Sequence, residues 1–127
     1  MQHSDIKQVI NVWTSSFSRN FNNTLNPDYL NDPSSTTMVV CEGNTIIGVA
    51  SINVIYKLSR TLGLIEDVAV NKDHRGKGIG KSLVEKLIEI GKQKNCDKIV
   101  LNTSEKNSKF YEKIGFEKNE IQMVIRN

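Results

Sequence analysis

The segment that most limits what this chain can fold into runs from Val68 to Lys81, VAVNKDHRGKGIGK. An apolar run enters a turn, and three glycines at alternate positions, Gly76, Gly78 and Gly80, lead straight into an amphipathic stretch. A strand that passes directly into a helix points to sheet and helix layers. Glycines let the backbone approach a ligand closely, and the first helical N–H groups have no internal partners. The helix dipole adds partial positive charge there, so that with Arg75, Lys77 and Lys81 the turn makes a diphosphate cradle. A Rossmann loop needs G-x-G-x-x-G, whereas the spacing here is G-x-G-x-G. A phosphate loop of the G-x-x-x-x-G-K-[ST] type is absent, although Gly80-Lys81-Ser82 imitates its tail. The plain alternative is a flexible turn with its cations in solvent. Three alternate glycines opening a helix are costly unless something must come close.

The rest of the chain supplies the layers. Ile6, Val9, Ile10, Trp13 and Phe17 recur at helical spacing and predict a helix over residues 5–17, with Ser4 as its cap and Trp13 in the core. Residues 18–37, with Pro27 and Pro33, read as loop with a short helix after Asn26. Strands are expected over 37–42 and 45–56, joined through Gly43-Asn44, and over 62–70. A helix over 79–94 is stopped by Asn95; a strand over 98–102, a helix over 106–114 ended by Gly115, and a last strand over 116–125 follow. The expected fold class is α/β (α+β): one domain over residues 1–127, with a mixed, mostly antiparallel sheet and helices on both faces.

Composition narrows the function. The 127 residues leave no room for a separate cofactor domain, so any chemistry shares one small fold. The net charge is +3 with basic and acidic residues interleaved, which disfavours nucleic acid but suits a small anionic ligand. Apolar runs such as Met38-Val39-Val40-Cys41 fall far short of the ~20 residues of a membrane span. The start, MQHSDIKQ, lacks the pattern of a signal peptide, so the expectation is a cytoplasmic protein away from membranes, with Cys41 and Cys96 as reduced thiols. His3, His74 and the two cysteines make no metal set, and no G-x-S-x-G nucleophile elbow occurs.

The segment Arg75-Gly76-Lys77-Gly78-Ile79-Gly80 resembles the R/Q-x-x-G-x-G/A motif of the GNAT family of N-acetyltransferases. The later EKNSKFYEKIGF, from Glu105 to Phe116, resembles that family's N-x-x-x-x-FYEKxGF element, one helix and one strand further on. The resemblance implies acetyl-CoA as cosubstrate and no metal. It implies that the amides of residues 75–81, Ile79 and Lys81 included, hold the CoA pyrophosphate. Val68, Ala69 and Val70 would pair with the pantetheine arm, and Asn107 and Phe110 would complete the cofactor site. Four stretches, IEDVAVN, NCDKIVL, FYEKIGF and IQMVIR, together resemble the glucosamine 6-phosphate N-acetyltransferases over residues 52–126. That implies amino-sugar metabolism and a homodimer whose phosphate site is completed across the two copies.

Acetyl transfer to an amine needs an unprotonated amine, a polarised thioester, close approach and a proton for the leaving thiolate. The resemblance places Tyr111 as the acid for sulfur. Phe110 is expected to be the core-facing aromatic of that helix, leaving Tyr111 for chemistry. Glu66 and Asp67 stand side by side in an apolar strand, where neighbours point to opposite faces, so they are not expected to act as a pair. By resemblance both line the amino-sugar site, with Glu66 as general base; the alternative is an ion pair with Lys57 or Arg60. Lys57, Arg60 and Arg126 match basic positions of the resembling enzymes and Asn102 an acceptor position; for each cation the alternative is a solvated surface charge. Three features depart from the pattern. The chain starts nearly at its first helix, the hairpin between Tyr56 and Glu66 is short, and Asn102 stands where an aspartate is usual, which removes a charge. Other acceptors, a small amine or a protein amine, therefore remain open, as does a non-catalytic CoA-binding module.

Overall fold

The computed structural model describes residues 5–17 and 26–127. Helix α1, Ile6–Phe17, buries Val9, Ile10 and Trp13 of the expected stripe, leaves Ile6 half-buried, and also buries Val12, which the spacing does not single out. Ser4, its expected cap, lies outside the described residues. Asn26 opens the short α2, Pro27–Leu30, by accepting from the Asp28 N–H through its side chain at 3.0 Å.

Strands β1 (Ser35–Glu42), β2 (Thr45–Tyr56) and β3 (Thr61–Val70) form an antiparallel meander. Gly43 turns the first hairpin at φ +62°, a conformation that costs glycine little. After β3 a 3-10 turn over Lys72–His74 leads into α3, Ile79–Gln93. Asn95, at φ +61°, terminates that helix as expected. The chain then returns as β4, Lys98–Leu101, parallel to β3, and ends its regular structure with α4, Glu105–Glu112. The strand order β1-β2-β3-β4 makes the mixed, mostly antiparallel sheet that was expected.

Each face of the sheet carries its own core. Val9, Val12 and Trp13 of α1 pack with Ile46, Val49 and Ala69. Leu83, Val84 and Leu87 of α3 pack with Ala50, Ile52 and Ile65 on the other face. Among the described residues no helix is long and apolar enough to cross a membrane.

The last expected strand, over 116–125, does not form: past Gly115 the chain makes no regular element, and its side chains beyond Phe116 are exposed. A strand exists only when another backbone takes its hydrogen bonds. Alternation of apolar residues says which face is apolar, not which neighbour will pair.

Candidate active site

The cleft is made where two parallel strands part. β3 and β4 pair from Leu62↔Lys98 to Ile65↔Leu101, and there the pairing stops. Beyond that point β3 continues to Val70, while the chain after Leu101 turns away toward α4. A cleft of about 430 Å³ opens between them, lined by Glu66, Asp67, Val68, Asn102, Asn107 and Tyr111 among others. On the side away from β2, the pairing with β4 does not extend to residues 66–70.

A bulge sets the direction of the two carboxylates. Ser51 of β2 lies opposite Glu66 and Val49 opposite Ala69, so β3 carries one residue more than β2 in this interval. Asp67 takes up the extra length at φ +57°. Ile65 and Val68 therefore share the α3 face, and Ala69 packs on the α1 face. Strict alternation, which would put Glu66 and Asp67 on opposite faces, fails here: both are exposed and both line the cleft. The bulge carbonyl of Asp67 accepts from the Trp13 indole N–H at 3.2 Å, which ties α1 to the bulge. Trp13 is a core residue as expected, but this second task has no signal in helical spacing.

The two carboxylates are close enough to feel each other. Partial burial pushes the Glu66 carboxyl above its ordinary value, and the negative charge of Asp67 adds to the rise. Tyr111 stands across the cleft on α4, where burial raises its phenol above the ordinary tyrosine range and keeps it protonated. Its ring meets Phe110 and Phe116 edge-on at 4.9 and 6.1 Å. The expectation that Phe110 would face the core is reversed: Tyr111 packs on the α3-side core, and Phe110 is 40% exposed. Ser108 is buried, and residues three apart share a helix face, so the inner face of α4 carries Ser108 and Tyr111. Phe110 turns instead toward the glycine turn. A Cβ built on Gly80 would meet its Cζ at 3.4 Å.

The glycine turn has the properties of an anion cradle. Gly76 and Gly78 adopt φ +81° and +80°, and a Cβ at either would meet nothing within 4 Å. They are thus needed for backbone shape and for an open approach rather than for packing. Gly78 is the N-cap of α3 and offers no side chain to the first helical N–H groups. Arg75 donates from Nε to the Val70 carbonyl at 3.1 Å, which fastens the turn to the end of β3. His74 pairs with Glu42 at 3.3 Å and ties the turn to β1. Lys77 and Lys81 are exposed beside the glycines, and Ile79 is half-buried against the core. Val70 and Ala69 end β3 at this turn, and Ser104 caps α4 by accepting from the Asn107 N–H. These residues suit a diphosphate and an extended arm running along β3 past the end of β4.

The cations proposed for an acceptor phosphate are not brought to Glu66. Lys57 and Arg60 sit in the β2–β3 turn, closed by a 2.8 Å bond from the Lys57 N–H to the Arg60 carbonyl. The strand from Arg60 to Glu66 measures about 20 Å at the usual rise. Neither forms the ion pair with Glu66 or Asp67 that was the alternative reading of those carboxylates. Both face a broad basin along the outer edge of β4, where Lys92, Lys98 and Lys118 join them. Lys92 and Lys98 were missed in the sequence because they lie on separate elements that only the fold brings together. Arg126 lies in the exposed C-terminal segment and lines neither the cleft nor the basin.

Comparison with known proteins places this architecture. The family model described as the acetyltransferase (GNAT) family matches residues 6–116. A glucosamine 6-phosphate N-acetyltransferase of Trypanosoma brucei brucei is 45% identical over 94 residues, covering 70% of this chain and 64% of the relative. Glucosamine 6-phosphate N-acetyltransferase 1 of Dictyostelium discoideum is 46% identical over 85 residues, covering 65% of this chain and 54% of the relative. The chain thus spans less than two thirds of the length of either curated relative. The crystal structure of a Trypanosoma brucei acetyltransferase superposes with a TM-score of 0.88 at 32% identity, covering 100% of this chain and 96% of that one. With the glycine turn, the parted strands and the tyrosine helix in the family's order, the chain belongs to the acetyltransferase (GNAT) family.

Proposed function

We propose that this protein transfers the acetyl group of acetyl-CoA to the amine of glucosamine 6-phosphate. The observation that carries the reading is the cleft between β3 and β4, with Glu66 and Asp67 on one wall, Tyr111 on the other and the glycine turn at the end of β3. The two curated relatives named above, both glucosamine 6-phosphate N-acetyltransferases, support the choice of acceptor.

The residues perform a direct transfer. The acceptor amine, held by Asp67 and Asn102, loses a proton to Glu66, whose raised pKa makes it a stronger base than an ordinary carboxylate. A C–N bond forms at the acetyl carbon and the C–S bond breaks. Tyr111, kept neutral by burial, gives its proton to the departing sulfur. Neither Cys41 nor Cys96 lines the cleft, and no acyl-enzyme is invoked. The pyrophosphate rests on the backbone of residues 75–81, and Val68 to Val70 take the pantetheine arm.

The acceptor phosphate is assigned to Lys57, Arg60 and Arg126 acting from a second copy, since Lys57 and Arg60 lie far along β3 from Glu66 within one copy. The protein then works as a homodimer on a small anionic substrate, in the cytoplasm where acetyl-CoA is made available, and without nucleic acid.

Thiol release from acetyl-CoA over an acceptor panel tests this. Glucosamine 6-phosphate is expected to react, and unphosphorylated glucosamine far more slowly. Release on a peptide N-terminus or a lysine in preference to the sugar phosphate overturns the acceptor. Tight CoA binding with no release on any amine makes the protein a binding module instead.

A further inference from the structure

The segment after α4 doubles back along that helix. The Phe116 N–H donates to the Tyr111 carbonyl at 3.1 Å, and the two rings meet edge-on at 6.1 Å. Lys118 Nζ then donates to Oε2 of Glu105, the first residue of α4, at 3.0 Å. Between Phe116 and Lys118 the segment thus passes from the last turn of the helix to its first. Glu105 follows directly on Asn102, Thr103 and Ser104, which line one wall of the cleft. The course set by these two ties brings Gln122 to the same cleft.

Among the described residues, Gln122 is the one lining residue of the cleft that lies beyond α4. It also lines the basin, of about 1160 Å³, that holds Lys57, Arg60 and Lys98. Every other residue common to the two spaces falls within residues 101–111. Gln122 therefore stands where the cleft of the two carboxylates opens into the basin of the cations. Ile121 and Met123 on either side of it are 88 and 91% exposed and do not line the cleft.

The chemistry of that place favours a neutral polar group. A cation there would pair with Glu66 or Asp67 and close the cleft. A third carboxylate would repel an anionic acceptor. A carboxamide carries no charge and offers two donors and an acceptor, so it matches a hydroxyl, which both gives and takes a hydrogen bond. Phe116 and Lys118 supply the ties that hold the segment, which leaves this carboxamide for a ligand. An amino sugar whose amine lies at Glu66 carries hydroxyls on the ring carbons beside that amine.

We infer that Gln122 is a specificity-determining residue of the acceptor site: its carboxamide takes a ring hydroxyl of the amino sugar, so that the cleft selects a hydroxylated ring over a plain alkyl amine. The inference rests on the reading of the acceptor as glucosamine 6-phosphate and names a residue that reads its ring.

A cycle of one substitution against one missing hydroxyl tests it. The wild type and Gln122→Met, which keeps the length of the side chain and removes its hydrogen bonds, are assayed with glucosamine 6-phosphate and with its 1-deoxy, 3-deoxy and 4-deoxy forms. In the wild type, kcat/KM should fall roughly three- to tenfold with one of the three, the range of one neutral hydrogen bond. Gln122→Met should lose about the same factor on the full sugar phosphate and show no further loss with that analogue. KM for acetyl-CoA and the thermal midpoint should not move. The ratio of two acceptors on one variant does not depend on how much of it is folded, so a damaged fold cannot imitate the result. Unchanged kcat/KM of Gln122→Met on the sugar phosphate overturns the inference, and so do equal analogue penalties in the two proteins. A wild type that discriminates against none of the three analogues overturns it as well. A wild type that does not acetylate glucosamine 6-phosphate removes the acceptor reading itself, and the role of Gln122 falls with it.

Discussion

At the scale of single residues, the proposed reaction turns on what one bulge does to two carboxylates. Asp67 absorbs an extra residue at φ +57°, and the indole of Trp13 holds its carbonyl. Burial raises the Glu66 pKa, and the charge of the neighbouring Asp67 adds to the rise. The sign of a test follows. Removing the Asp67 charge favours ionised Glu66 and lowers its pKa, so Asp67→Asn should move the acidic limb of kcat/KM to lower pH. Glu66→Gln should abolish that limb and cut kcat by about 10²-fold, the range of a lost general base, without weakening CoA binding. A pH-rate profile for each variant measures both. Tyr111→Phe keeps the packing against Phe110 and Phe116 but removes the proton donor, so the chemical step should slow in single-turnover kinetics while the thermal midpoint barely moves. Unchanged single-turnover rates in Tyr111→Phe would remove its role as the acid.

At the scale of elements, most of the fold was legible because periodicity and turn chemistry are local. The bounds of β2 and the start of α3 coincide with expectation, since Gly43-Asn44 and the glycine turn mark them in the sequence. The bulge was not legible, because alternation assumes an unbroken pleat and the two-to-one register is a property of β2 and β3 together. Phe110 and Tyr111 were exchanged for a similar reason: two adjacent aromatics give no local sign of which faces the sheet, and the exposed Phe110 finds its partner in Gly80 of another helix. The glycine turn offers an element-level test. Gly78 sits at φ +80° with open space around its missing Cβ, so Gly78→Val strains the backbone by about 1–2 kcal/mol without a steric clash inside the fold. It should remain folded by circular dichroism yet lose at least tenfold in CoA affinity by calorimetry. Leu87→Ala gives the contrast. That side chain is fully buried beneath the sheet, so its loss should cost about 2–5 kcal/mol in urea unfolding and leave CoA affinity nearly intact.

At the scale of the whole molecule, two observations point past a single copy. Lys57 and Arg60 lie too far along β3 to meet an acceptor held at Glu66 of the same chain. The C-terminal segment alternates Ile121, Met123 and Ile125 with polar or smaller neighbours, and these three are 88, 91 and 94% exposed. Such a stripe has the pattern of a strand with one apolar face, and it has no partner strand among the described residues. Exposed apolar runs of this kind are what association buries. If a second copy supplies the neighbour, the same contact carries Arg126 to the other subunit and brings its acceptor phosphate within range of cations. Ile121→Asp with Met123→Asp should then convert a dimer to a monomer in sedimentation equilibrium. The monomer should keep CoA binding, because the glycine turn is complete within one chain, and should lose affinity for the sugar phosphate. A double variant that stays dimeric, or a monomer with unchanged acceptor KM, would place both the interface and the phosphate site elsewhere. Mixing settles the sharing of sites. An inactive Glu66→Gln subunit that binds phosphate, combined with an Arg126→Ala subunit that keeps its base, should regain activity in the mixed dimer beyond either parent alone.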